Sequence, residues 1–217
     1  MLKKVIIVLA VALAAFSAYV AKQPSQLDVS RSVAINAPAP EVFSHVNDFH
    51  KWAAWSPWAN LDPNMQVVYG GPSEAGLNSH QTWSGNSDVG AGKMTITEVI
   101  PNSLVKIALE MEKPLKASDT VEFVFKEEAG STMVTWHIQG QKDFIGKLMG
   151  VIYGCEKKLG ASLEEGLANL KKVSEEVKTP VEAPAADAVS VEAPVDGAAA
   201  PAAPAAASAP VAAPAVK

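Results

Sequence analysis

Pro38-Ala39-Pro40-Glu41-Val42-Phe43, followed by Asn47-Asp48-Phe49 and Trp52-Ala53-Ala54-Trp55-Ser56-Pro57-Trp58, is the stretch from which the fold can be read. Early proline and an early acid are helix-start signals, and Val42, Phe43 and Val46 then share one side of a short helix. Asn47-Asp48 can cap a second short helix through the tryptophans, which Pro57 stops. Three of the chain's 5 tryptophans lie in this segment. Side chains so costly to leave in water cover something apolar: a core, the mouth of a ligand cavity, or a membrane interface.

Upstream, Val29–Ile35 alternates as a first strand should. Downstream come six strand-like runs, each closed by turn residues: 65–69, 79–83, 93–100, 104–111, 119–126 and 132–139. Their short, regular spacing, with no long helix between them, predicts an antiparallel meander. The period then changes. Leu159, Leu163, Leu167, Leu170, Val173 and Val177 recur at helical intervals, which predicts a long amphipathic helix. A sheet with one apolar face must bury it, and that helix is the available partner. If the sheet curls around the helix, a cavity can remain between them.

The ends of the chain differ from this middle. Met1-Leu2-Lys3-Lys4 precedes an apolar run from Val5 to Ala21. At about 1.5 Å per residue it spans roughly 26 Å, between the lengths of a signal core and a membrane-spanning helix. We expect residues 1–24 to be a transmembrane anchor, with a cleaved, exporting signal as the alternative. The positive-inside bias keeps Lys3 and Lys4 in the cytoplasm and puts the domain on the far side. That corresponds to a single-pass protein of a bacterial inner membrane, with its C-terminal part in the periplasm or outside. Residues 178–217 are Ala/Pro-rich, with about seven prolines and no aromatic, and are expected to be a disordered tail. The tail is either a solubilising extension or an arm for an envelope partner. Residues 27–177 are then a single domain.

Net charge is −5. Without the two ends about 14 basic residues face about 19 acidic ones, with no basic cluster, which argues against nucleic-acid binding. The single cysteine, Cys155, excludes an internal disulfide and is expected to be a buried, inert thiol. His45, His50, His80 and His137 form no metal-binding spacing, so no metal or cofactor is expected. Alternation puts Trp136 inside and His137 outside. It also puts Val121, Phe123 and Phe125 inside, together with Met94, Ile96, Glu98 and Ile100. Glu98 is therefore the candidate catalytic acid or base, if burial raises its pKa. The alternative is that it reaches solvent or pairs with a lysine. Gly85-Asn86 and Gly90-Ala91-Gly92 lack a phosphate-loop context and read as a hairpin.

The order strand, two short helices, six strands and long helix is the helix-grip arrangement, an α+β fold. Pro38-Ala39-Pro40-Glu41-Val42-Phe43 resembles the opening motif of the START-like superfamily, in its polyketide cyclase/dehydrase-type branch (SRPBCC proteins). Trp55-Ser56-Pro57-Trp58, Asp62-Pro63, Trp83-Ser84-Gly85-Asn86, residues 89–97, Lys113-Pro114 and residues 166–170 resemble a membrane-anchored bacterial subgroup. The resemblance implies a curved antiparallel sheet of six to seven strands, with an apolar cavity against the C-terminal helix. Members bind lipids or other hydrophobic molecules, and a minority act as cyclases or dehydratases. The expected ligand-binding residues are Trp55, Trp83, Met94, Ile96, Phe123, Trp136 and Leu163. Three readings stay open: a non-enzymatic binder of a hydrophobic small molecule or lipid, a cyclase/dehydratase-type lyase, and an interaction module with a filled core.

Overall fold

The computed structural model describes residues 1–176; the expected tail at 178–217 lies outside the described residues, and with it any envelope partner. An N-terminal helix α1 (Leu2–Ala21) leads into β1 (Gln26–Ile35) and a short helix α2 (Ala39–Val46). Two short 3-10 helices, Phe49–Ala54 and Pro57–Asn60, carry the tryptophan segment where one second short helix was expected. Pro57 and the β-region conformation of Ser56 divide the segment into these two pieces. Asp48 caps the first, accepting a hydrogen bond from the His50 N–H.

The strands are β2 (Gln66–Gly70), β3 (His80–Ser84), β4 (Ala91–Ile100), β5 (Leu104–Lys113), β6 (Ala117–Glu128) and β7 (Ser131–Gln141). With β1 they form an antiparallel sheet in the order β1-β7-β6-β5-β4-β3-β2. This is the predicted meander, closed by β1 pairing with β7. The long C-terminal helix, here α4 (Cys155–Glu176), packs over β1 and the short helices, which makes the fold a helix grip. Its buried face is Gly160, Leu163, Gly166, Leu167, Leu170 and Ser174, close to the stripe expected from the sequence. Burial of each leucine contributes roughly 1.5–3 kcal/mol.

Between β7 and α4 lies a helix the sequence reading did not anticipate, α3 (Phe144–Tyr153). Its large apolar side chains share one side, opposite Gly146, Lys147 and Gly150, but the run is short and holds a single charge, so the period is easily missed. Its ends carried the signal instead. Asp143 caps it through the Gly146 N–H at 2.7 Å, and Gly154 ends it in the left-handed conformation at φ 63°. Cys155 begins α4 and is exposed, which corrects the expectation of a buried thiol. α3 ends at Tyr153 and Gly154 separates the two, so the apolar run around Cys155 is divided between two helices.

α1 is apolar enough to cross a membrane, with a mean hydropathy of 2.3, and a signal sequence near the N-terminus passes the same criterion.

Candidate functional site

The interior is built from the tryptophan segment, the middle of β6 and β7, and α4. Trp52 and Trp55 lie 4.7 Å apart between ring centroids, and Phe123 and Trp136 4.8 Å apart. Edge-to-face contacts at 5.6–6.4 Å tie Trp52, Trp55 and Trp58 to Trp136. Trp52 Nε1 donates to the Val46 carbonyl and Trp55 Nε1 to the His45 carbonyl, so the indoles are held at both ends. Gly166 of α4 faces the Trp136 ring, and a Cβ there would come within 2.7 Å of it.

Of the expected ligand-binding residues, Trp55, Ile96, Phe123, Trp136 and Leu163 are fully buried in this packing and fill the interior with one another. Trp83 and Met94 are placed differently. They are partly exposed on the inner face of the sheet, toward the end where β1 begins and β7 finishes. Strand register aligns Gln81, Met94, Leu109, Asp119 and Gly140 in one row across β3, β4, β5, β6 and β7. The next row outward aligns Trp83, Gly92, Met111 and Ala117. Met94, Leu109, Trp58 and Leu159 border the packed core without being sealed into it. The middle of the grip is closely packed, and the incompletely buried apolar side chains lie toward this end.

Asp119 is the carboxylate of that end, and the sequence reading did not single it out. It shares its face with Val121, Phe123 and Phe125, so the alternation that identified those three also pointed to it. Its carboxylate covers Gly140 across the strand pair, in the space a Cβ there would occupy. Burial pushes its pKa above the ordinary 3.8. A carboxyl with a raised folded-state pKa contributes stability below its unfolded value, and that contribution is lost as pH rises through the folded value. Asp119→Asn is accordingly expected to raise the melting temperature at pH 7, with the difference from wild type vanishing below about pH 4. Thermal melts of both chains across this range check it. A stabilisation that persisted at the acid end would implicate something other than the charge.

Glu98 is not on that face. A β-bulge at Thr97 shifts the register, so Ile96 pairs with Ile107 but Glu98 pairs with Lys106. The extra residue turns Glu98 to the outer face and brings Val99 inward. Glu98 is half-exposed, 3.3 Å from the Lys106 ammonium, which also meets Glu122 at 3.1 Å. The alternative reading, pairing with a lysine, is what the structure shows. Glu122 first, and then Glu98, hold the Lys106 pKa above its usual value.

The histidines are engaged locally. His45 meets Glu41, and His137, on the outer face, meets Asp28 at 2.9 Å. His50 meets Asp48 at 3.0 Å and stacks on Tyr69 with centroids 4.0 Å apart. His50, Tyr69 and His80 border a surface recess of about 300 Å³ at the β2–β3 edge of the sheet, three strands away from Asp119 itself. Asp62 and Asn86 act as scaffolding. Asp62 accepts hydrogen bonds from the Asn64 and Asn86 N–H groups, and Asn86 Nδ2 donates to the Leu61 carbonyl. Together they fasten the second 3-10 turn to the β3–β4 hairpin.

A family model described as polyketide cyclase / dehydrase and lipid transport matches residues 26–175. No curated protein matches the chain in sequence. Similar solved structures include StfQ, a di-domain ARO/CYC from the steffimycin biosynthetic pathway, at 10% identity and a TM-score of 0.53 over 70% of this chain and 51% of that one. Protein MLL2253 from Mesorhizobium loti is 11% identical, with a TM-score of 0.52 over 69% of this chain and 98% of that one. Protein BH1534 from Bacillus halodurans is 17% identical, with a TM-score of 0.50 over 70% and 99%. At these identities the structures speak for the fold alone. The family match spans the sheet, the tryptophan segment and nearly all of α4, and the chain belongs to the polyketide cyclase / dehydrase and lipid transport family.

Proposed function

We propose that the protein is a membrane-tethered domain that binds a lipid or other hydrophobic small molecule at the open end of the grip. α1 is the tether and the domain faces the cell envelope. The observation that carries the reading is the pair of incompletely buried apolar side chains Met94 and Leu109, with Trp83 in the adjoining row, beside the half-buried carboxyl of Asp119. Covering these apolar surfaces stabilises a complex by about 25 cal/mol per Å² removed from water. One polar group among them suffices to orient a ligand. The solid aromatic interior confines the ligand to this end.

Native mass spectrometry of the full chain, released from mild detergent, tests the proposal. A retained adduct of lipid mass is expected, lost in Leu109→Lys while the variant melts as a folded protein. A bare protein mass in wild type, or an adduct that survives Leu109→Lys, contradicts it.

A catalytic reading competes, favoured by the desolvated carboxyl on the apolar face. In that case Asp119 is the general acid or base of a cyclisation or dehydration, since a raised pKa brings a carboxyl closer to the proton affinity such chemistry needs. Asp119→Asn separates the two. A binder keeps its adduct, whereas a lyase loses turnover with its binding intact.

A further inference from the structure

Among the described helices, α3 alone buries no residue. A ten-residue helix is marginal in water without a packing partner. At 100° per residue Phe144, Leu148, Ile152, Ile145 and Met149 fall within one arc, forming a continuous apolar stripe. Phe144, Ile145 and Ile152 are 46%, 45% and 56% exposed, and Tyr153 beside them is 54% exposed. Four large apolar side chains exposed on ten residues are a patch that needs a partner.

The position of α3 indicates what covers it. Lys147 Nζ donates to the carbonyl of Ala21, the last residue of α1, at 3.2 Å. Val20, in the same turn, is the one buried residue of α1. The Lys142 N–H donates to the Ser25 carbonyl, and Gln26 pairs with Gln141 where the two helices join the sheet. α3 thus sits at the level where α1 ends, beside an apolar shaft that is otherwise bare. Local charge fits as well. Lys22, Lys142, Lys147, Lys157 and Lys158 lie within a few residues of the ends of α1 and α3, with Lys142 paired to Glu156 and Asp143 capping α3, in a chain whose net charge is −5. Such lysines favour an anionic membrane surface.

We infer that α3 lies in the head-group region of an anionic phospholipid bilayer, with the Phe144–Leu148–Ile152 stripe immersed. The inference rests on the anchored reading of α1. It deepens the proposed function, because Gly140, the β7 neighbour of Asp119, lies four residues before α3 begins at Phe144. The open end of the grip then adjoins the membrane, and its ligand is drawn from the lipid phase.

Spin-label depth measurements on the full chain in vesicles of phosphatidylcholine with phosphatidylglycerol test the inference. Labels go on Val8→Cys, Ile152→Cys, Ile145→Cys and Glu165→Cys, each with Cys155→Ser. The Ile152 and Ile145 labels are expected to be accessible to oxygen and shielded from a water-soluble nickel chelate, with an oxygen-to-nickel ratio several-fold above that of Glu165 on α4. If they match Glu165 while Val8 reads as bilayer-embedded, α3 is in water and the inference fails with the anchor intact. A water-accessible Val8 overturns the anchor and the inference together. Labels on α3 shielded from both reagents, with spin–spin broadening, mean that a second copy covers the stripe, which also overturns it.

Discussion

Trp136→Ala is expected to lower stability by about 3–5 kcal/mol, which for a chain of this size is a fall in melting temperature of roughly 6–20 °C. The indole meets Trp52, Trp55, Trp58 and Phe123 and lies beneath Gly166 of α4. Removing it leaves a void bounded by rigid aromatic rings, which collapse poorly into vacated space. Its Nε1 finds no hydrogen-bond partner among the described residues, so Trp136→Phe is expected to be much milder. Melting of the full chain in mild detergent measures both. An alanine variant within about 1 kcal/mol of wild type would mean that the interior is loose rather than solid.

The second large effect reverses an ordinary rule. Glycine within a helix is normally less favourable than alanine by roughly 0.5–1 kcal/mol, so Gly→Ala stabilises an exposed site. Gly150 of α3 has nothing within 4 Å of the added methyl, and Gly150→Ala is expected to follow the rule. Gly166→Ala is expected to break it. Its Cβ would come within 2.7 Å of the Trp136 ring and 3.0 Å of Pro57. Neither neighbour can swing aside, so α4 must lift off the aromatic cluster, at a cost of about 1–3 kcal/mol. Melts of the two variants should move in opposite directions. If both rose, α4 would not rest on Trp136 as described.

The meander and the long helix were legible in the sequence because each rests on a repeated signal. Alternation placed Val121, Phe123, Phe125 and Trp136 on the inner face, and the leucine interval of α4 identified its buried stripe. The failures came where a single residue changes the phase. Thr97 inserts one residue into β4, and everything beyond it faces the opposite way, which is why Glu98 reads as interior in sequence yet pairs with Lys106 outside. No pattern in Met94–Ile100 marks that bulge. α3 escaped notice for a different reason: its period is carried by only ten residues with one charge, Lys147, so Asp143 and Gly154 delimit it more plainly than its pattern does. Residues fit to line a cavity are also those fit to fill a core. Trp55, Phe123 and Trp136 have the right chemistry for either, and what the sequence could not show is that they pack against one another. Asp119 was within reach of the alternation argument, two residues before Val121, but it opens its strand run and so reads as a strand end.

The position of a bound hydrophobic ligand distinguishes the open end of the grip from its interior. The direct test is photo-crosslinking of the full chain in vesicles containing a phosphatidylcholine with a diazirine on its acyl chain, followed by peptide mapping. Apart from α1 and α3, label is predicted on the peptides carrying Met94 and Leu109, with Phe123 and Trp136 unlabelled. Label confined to the helices, or found on Phe123 and Trp136, would contradict a binding site at the open end of the grip.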